Sequence, residues 1–280
     1  MKSVVITGAS TGIGWGCAKV LVEKGFRVFG SVRKLADAER LAGELGANLT
    51  PLLFDVTDSV AVRAGADRVA NALGGESLFG LVNNAGIAVA GPLLYLDPDE
   101  LRRQLEVNVT GQLLVTQAFA RLLRQANGQP GRIVMVSSVG GRNASPFVGP
   151  YNASKFALEG LSESLRRELM LLGIDVIVVA PGAVATPIWD KAEQMDLSRY
   201  AETPYAASLA AMRDYMLSHG RQGLNPEQIG ETVWRALTAA RPKTRYVVTP
   251  DPLQNFLANT LPKRIVDRMI ARRLGLTARR

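Results

Sequence analysis

The chain has 280 residues, 47% of them hydrophobic, enough to bury one large core, and its 33 Lys or Arg against 25 Asp or Glu give a formal charge of +8. One cysteine, Cys17, excludes an internal disulfide; one histidine, His219, excludes a Ser-His-Asp hydrolase and a multi-histidine metal site; no apolar run reaches the roughly 18 residues of a bilayer span. Ten Lys or Arg against Asp251 and Asp267 between 241 and 280 account for the whole +8, so residues 1–240 are neutral and attraction to anions is a property of the tail.

Residues 3–7 already read as a strand, with no apolar leader before them, and with the lone cysteine this gives the expectation of a reducing, cytoplasmic setting. Further short apolar runs follow at 27–32, 49–54, 78–82, 132–137, 175–180 and 245–249, each ended by turn-forming or polar residues. Near-continuous apolar strands are covered on both faces. Helical patterns separate them at 13–24, 36–45, 60–73, 99–125, 149–172 and 226–240. Strands alternating with helices imply right-handed crossovers, hence one α/β domain over residues 1–280 with a doubly wound, Rossmann-type parallel sheet of about seven strands. Residues 187–224 break the rhythm and carry much Tyr, Met and Ala. An insertion after a strand's carboxyl end is where ligand-covering helices belong, so the segment is expected to be a substrate lid.

Directly after the first strand stands Thr7-Gly8-Ala9-Ser10-Thr11-Gly12-Ile13-Gly14, opening the first helix. Gly8 suits a tight turn, Gly12 lets backbone N–H groups approach a pyrophosphate, and Gly14 lets the helix lie close on the sheet. At the end of the second strand, where a carboxylate would accept from a ribose 2′-hydroxyl, the chain has Val32-Arg33-Lys34. Two cations and no acid suit the 2′-phosphate of NADP(H), unless they are simply a solvated strand end. Asp37 reads as an early helix residue rather than a ribose ligand.

Ser138, at the end of the fifth strand, precedes Tyr151 and Lys155, four apart on a helix. A phenol works as acid or base near neutral pH only if its ionisation is tuned, and an ammonium one turn away can do that. Ser138 can donate to a developing oxyanion. Asn108 is a polar residue in the apolar run Val107-Asn108-Val109 and calls for a partner.

With the glycine loop, Asn83-Asn84-Ala85-Gly86, Asn108, Ser137-Ser138, Tyr151-Asn152-Ala153-Ser154-Lys155 and Pro181-Gly182, the chain resembles the short-chain dehydrogenase/reductase family over at least residues 3–186. The resemblance implies that Asn84, Ala85, Gly86, Pro181 and Gly182 belong to the cofactor site, with Ser10, Thr11 and Ile13 of the loop. It also implies adenine contacts from Asp55 and Val56, a central-sheet role for Asn83, ribose contacts from Tyr151 and Lys155, and carboxamide contacts from Val184 and Thr186. Carbonyl reduction follows as the expected chemistry: Tyr151 gives the proton, Ser138 orients the oxygen, Lys155 lowers the tyrosine's pKa and Asn108 supports a water relay. Homodimer or homotetramer contacts through the fourth and fifth crossover helices are implied as well.

A looser likeness, in Val28-Phe29-Gly30-Ser31-Val32-Arg33 and the basic tail, is to the hydroxysteroid and retinol dehydrogenase branch, which suggests a lipophilic alcohol or ketone. Tyr200, Tyr205, Met212, Tyr215 and Met216 fit an apolar pocket or, equally, packing of the lid onto the body. From Leu261 to Leu274 the apolar Ile265, Val266, Met269, Ile270 and Leu274 share an arc beside Arg264, Arg268 and Arg272. Such a helix attaches peripherally to an anionic membrane or packs on its own domain or a subunit neighbour. Nucleic-acid binding would rest on this tail alone, without interleaved aromatics. The alternatives to a carbonyl reductase are a catalytically silent NADP(H)-binding regulator and an epimerase or dehydratase on the same scaffold.

Overall fold

The computed structural model describes residues 1–123, 131–194 and 196–277. Strands β1 (Ser3–Ile6), β2 (Arg27–Val32), β3 (Leu49–Leu53), β4 (Gly80–Asn83), β5 (Gly131–Val136), β6 (Ile174–Pro181) and β7 (Arg245–Val248) form one parallel sheet in the order β3-β2-β1-β4-β5-β6-β7. Helices α1 (Gly12–Glu23), α2 (Leu35–Leu45), α3 (Ser59–Leu73), α4 (Pro98–Leu105), α5 (Gly111–Ala120), α6 (Gly149–Glu168), α7 (Ile188–Glu193), α8 (Ala206–Arg221), α9 (Pro226–Thr238), α10 (Pro252–Thr260) and α11 (Lys263–Leu274) complete the chain. The architecture is the doubly wound α/β fold expected, with strand ends within two residues of the sequence pattern.

Strand alternation divides the core into two layers. Val4 and Ile6 of β1 face a cluster with Cys17 and Leu21 of α1 and Ile229, Val233 and Leu237 of α9. Val5 faces the other, with Val62 and Val69 of α3, Val115 and Phe119 of α5 and Leu158 of α6. Cys17 is core as expected, and burial pushes its thiol up to about 12, so it is no nucleophile at neutral pH. Because β1 leads outward to β2 on one side while β4 pairs on its other side, a crevice opens beyond their carboxyl ends, where ligands bind in such sheets.

Two expectations change here. The helix expected over 99–125 is not one α-helix: a π-helical segment, Glu106–Thr110, separates α4 from α5, and residues 124 and 125 lie outside those described. Asn108 is buried within that segment. The tail gains a helix the pattern did not suggest, α10, opened by Pro252 and containing no buried residue.

The expected lid contains α7, a 3-10 turn at Ser198–Tyr200 and α8, entered and left by a bridge between Val184 and Leu224. Its aromatic and Met residues form a third cluster. Tyr200 and Met212 are buried there with Phe147 and Leu274, and Tyr205, Tyr215, Met216 and Ile270 pack against them. These side chains therefore join lid to body and tail. The arc expected on the tail helix is likewise divided: Val266 and Leu274 are buried, whereas Ile265 and Met269 stay exposed.

Candidate active site

The loop between β1 and α1 has its glycines where the backbone demands them. Gly8 and Gly12 have φ of 66° and 59°, a region that side chains disfavour. The loop is tied down from three sides. Its Gly8 N–H donates to the Ser31 hydroxyl at 3.1 Å, the Asn84 amide donates to the carbonyls of Thr7 and Gly8 at 2.9 and 3.2 Å, and Arg40 of α2 donates to the Ser10 carbonyl at 2.5 Å. The Thr7 hydroxyl accepts from the N–H groups of Asn84 and Ala85 at 2.9 and 3.0 Å. None of Thr7, Ser31 and Arg40 was assigned this work from the sequence, although Ser31 is the one polar side chain between Val28 and Val32.

Arg33 and Lys34, at the end of β2, are exposed. The Arg33 guanidinium lies 3.8 Å from the Asp55 carboxylate, a solvent-screened pair of small energetic weight. Asp55 is otherwise engaged by the N–H and hydroxyl of Thr57 at 3.0 and 2.8 Å. Burial tends to raise its pKa, but these bonds and Arg33 hold it below the usual value. Val56 is buried under Gly111, leaving only backbone to meet a ligand there. Asp37 is a helix residue paired with Arg40, as expected.

At the carboxyl end of β5, Ser138 caps a short 3-10 turn, its hydroxyl accepting from the Gly140 N–H at 3.0 Å and donating to the Pro181 carbonyl at 3.4 Å. Tyr151 stands in the first turn of α6, half-buried, and a Cβ on Gly140 would lie 3.4 Å from Ser138 Oγ and 3.6 Å from Tyr151 Cε1. Burial pushes the phenol up from its ordinary value, with the nearby Ser138 hydroxyl pulling the other way. Lys155 follows one turn later on the same face of α6. Its buried ammonium donates to the Val136 carbonyl at 2.9 Å and sits 5.7 Å from the centroid of the tyrosine ring. Burial brings Lys155 itself down to about 8, opposed by the Glu159 carboxylate.

The π-helical segment explains Asn108. Its side chain accepts from the Ile87 N–H at 2.8 Å and donates to the Ile87 carbonyl at 3.0 Å and to the Ser154 hydroxyl at 3.1 Å. One turn earlier Gln104, fully buried, accepts from the Val89 N–H at 2.7 Å and donates to the Ile87 carbonyl at 2.8 Å. Ser154 donates to the Tyr151 carbonyl at 2.7 Å. The loop after Gly86 is thus clamped to the helix bearing Tyr151 and Lys155. Gln104 and Ser154 were not picked out from the sequence; the four-residue spacing of Gln104 and Asn108 was the available signal. Asn83 donates to Thr116 at 2.8 Å and Met135 Sδ at 3.1 Å, joining β4 to α5 and β5.

Gly182 follows β6, its N–H bonded to the Val248 carbonyl at 2.8 Å. Thr186 lies against the glycine loop, its Cβ 3.2 Å from where a Cβ on Gly12 would stand. The Val184 carbonyl accepts from the Trp189 indole at 2.7 Å, which anchors α7. His219 is exposed and stacks on Tyr215, ring centroids 4.1 Å apart.

A glycine loop at the head of a doubly wound sheet, facing a phenol and an ammonium on one helix, places the chain among the α/β oxidoreductases. The family model described as short chain dehydrogenase matches residues 2–197. NADPH-dependent 3-dehydrocapnine reductase of Ornithobacterium rhinotracheale is 37% identical over 273 residues, covering 96% of each chain. Retinol dehydrogenase 5 of Mus musculus is 37% identical over 280 residues, covering 95% of this chain and 87% of the relative. The crystal structure of a short-chain dehydrogenase from Streptomyces avermitilis superimposes with a TM-score of 0.77 at 26% identity, covering 98% and 97% of the two chains. The chain belongs to the short-chain dehydrogenase family.

Proposed function

We propose that the protein is an NADP(H)-dependent oxidoreductase that interconverts a carbonyl and an alcohol on a lipophilic substrate. What carries the reading is the convergence of Ser138, Tyr151 and Lys155 on one side of the crevice with the glycine loop on the other. A dinucleotide fits that loop: Gly8 and Gly12 hold left-handed backbone conformations at a helix N-terminus, and a Cβ on Gly12 would press on Thr186. Gly8, Ser10, Thr11, Gly12, Ile13 and Gly14 would hold the phosphates, Asp55, Val56, Asn84, Ala85 and Gly86 the adenosine side, and Pro181, Gly182, Val184 and Thr186 the nicotinamide end. When bound, the dinucleotide supplies the hydride.

The chain's own residues do the rest. Ser138 holds the substrate oxygen in line by donating its hydroxyl hydrogen. Tyr151 gives the proton to the substrate oxygen. Lys155 contributes a positive charge as the phenol loses its proton, and Asn108, through Ile87 and Ser154, keeps the donor's helix in register. The similar reductase of Ornithobacterium rhinotracheale is named as NADPH-dependent, which supports the cofactor choice. So does Arg33, exposed and only loosely paired. We expect Arg33→Ala to raise the Michaelis constant for NADPH by about tenfold while leaving that for NADH nearly unchanged, since a charge-assisted contact contributes about 1.5–3 kcal/mol. Absorbance assays with both nucleotides against steroids, retinoids, long-chain ketones and small aldehydes test cofactor and substrate together. Oxidation of neither nucleotide by any of them would remove the reading and favour a silent dinucleotide-binding protein.

Peripheral attachment to an anionic membrane surface is part of this proposal. Leu253, Phe256 and Leu257 of α10 lie at i, i+3 and i+4 and are exposed, as are Ile265 and Met269 of α11, beside the basic Lys263, Arg264, Arg268 and Arg272. The concentrated positive charge opposes pairing of this face with its own copy and suits acidic lipid. No helix among the described residues is long and apolar enough to cross a membrane. Sedimentation with phosphatidylserine-containing vesicles should recover the native chain and lose a Phe256→Glu, Met269→Glu variant. Equal recovery of both would remove the membrane contact. Exposed Phe156 on α6 supports assembly of two or four copies through the crossover helices.

A further inference from the structure

Glu159 stands one helical turn beyond Lys155 and two beyond Tyr151, so the three side chains share a face of α6. Its carboxylate is only 12% exposed and is gripped from another part of the fold. Arg245, the first residue of β7, donates through Nε towards both its oxygens at 3.1 and 3.0 Å, and its own side chain is 15% exposed. Arg142 approaches from the turn after Ser138 at 3.4 Å but is largely solvated. The Arg245 guanidinium also reaches the Ser138 carbonyl at 3.4 Å through Nη2. Gly141 makes room for the assembly, since a Cβ there would lie 2.8 Å from Ser137 Oγ, 3.0 Å from Glu159 Cγ and 3.1 Å from the Lys155 carbonyl.

We propose that Glu159 and Arg245 are positioning residues of the same reaction, the carboxylate keeping the buried Lys155 positively charged and the guanidinium fixing that carboxylate and the Ser138 turn together. The inference rests on the roles given above to Lys155 and Ser138. An ammonium buried with one backbone carbonyl as its hydrogen-bond partner is poorly solvated, and burial favours its neutral form. In keeping with this, Glu159 is the group that opposes the depression of Lys155 to about 8. The groups facing the ammonium are Tyr151 and Glu159 from its own helix and the Val136 carbonyl from the end of β5. Arg142 and Arg245 act on it through Glu159. With the carboxylate neutralised, two guanidinium groups would stand uncompensated beside the amine. With Arg245 removed, the carboxylate would act on Lys155 with less opposition.

The two removals therefore shift Lys155 in opposite directions, which loss of packing would not do. Protein carrying lysine labelled with carbon-13 at Cε, without dinucleotide or substrate, is titrated by NMR, the Lys155 signal being assigned by its absence in Lys155→Met. Glu159→Gln is expected to lower the Lys155 midpoint by roughly one pH unit and Arg245→Met to raise it by up to the same amount. Glu159→Asp restores most of the wild-type midpoint. Coincident curves for wild type and Glu159→Gln would overturn the proposal, and an unshifted Arg245→Met curve would overturn the arginine's part in it. Should Glu159→Gln fail to fold, the upward shift in Arg245→Met and the near-native curve of Glu159→Asp still decide. Because no turnover is involved, a chain that reduces no carbonyl yet shows both shifts would remove the proposed function and leave this inference standing.

Discussion

Tyr151→Phe is expected to lower kcat by about 10²–10⁴-fold while leaving the NADPH dissociation constant within a few fold. Such a loss corresponds to about 3–5 kcal/mol of barrier, the usual worth of a general acid. The substitution removes one hydroxyl and keeps the ring, so the packing of the first turn of α6 and the 5.7 Å approach of the Lys155 ammonium to that ring survive. The Ser138 hydroxyl retains the Gly140 N–H and the Pro181 carbonyl as partners, so no buried polar group is orphaned. A fall in kcat with unchanged nucleotide binding thus reports the proton donor alone. Stopped-flow turnover beside fluorescence titration of NADPH makes the separation, and a variant with near-native kcat would show that the proton comes from elsewhere.

The second large effect is expected from Gly14→Ala. A Cβ at this first-turn position of α1 would stand 2.1 Å from the Gly8 carbonyl oxygen and 2.5 Å from Asn84 Nδ2, both parts of the network that holds the glycine loop. Backbone cannot yield as a flexible side chain does, so the loop or the helix must move, at about 1–3 kcal/mol of stability. A fall in Tm of roughly 2–10 °C follows for a chain of this size. The functional loss is larger, at about 100-fold or more in NADPH affinity, because the amides that face the phosphates are displaced. Gly43 in α2 provides the control: nothing lies within 4 Å of a Cβ there, and Gly43→Ala should be neutral or stabilising by up to about 1 kcal/mol. Calorimetry and nucleotide titration of the pair check both statements, and a Gly14→Ala protein that binds NADPH normally would move the site away from the loop.

Both variants act at residues legible in the sequence, for a common reason. The glycines lie within eight residues of one another, and Tyr151 and Lys155 are four apart on one helix, so local geometry alone brings each group together. Groups joined by the fold were harder to see. Arg245 counted only as one of ten tail cations, but parallel pairing of β7 with β6 carries it to Glu159, 86 residues earlier in the chain. Arg40 reaches Ser10 because α2 returns across the head of the sheet, and Gln104 gains its role from a loop that folds back on it. The π-helical segment at Asn108 has no pattern of its own, since one added residue in a turn leaves hydrophobic spacing almost unchanged.

The tail shows the same division. Its basic, amphipathic character was plain, but which apolar side chains would be covered was not: Leu274 met the lid and Val266 is buried, while Ile265, Met269 and the apolar face of α10 stay exposed. The surroundings of the tyrosine were likewise out of reach, because a four-residue spacing gives proximity to the ring and cannot report how deeply the phenol is buried.

By itself the sequence determined the sheet, its seven strands and the glycine loop at its head, because strand period, helix spacing and glycine placement are short-range properties. The tertiary structure alone decided the electrostatics around those side chains and the covering of the lid and tail. Charge interaction and burial depend on what distant segments bring within a few ångströms, and that distance is set only when the chain has closed.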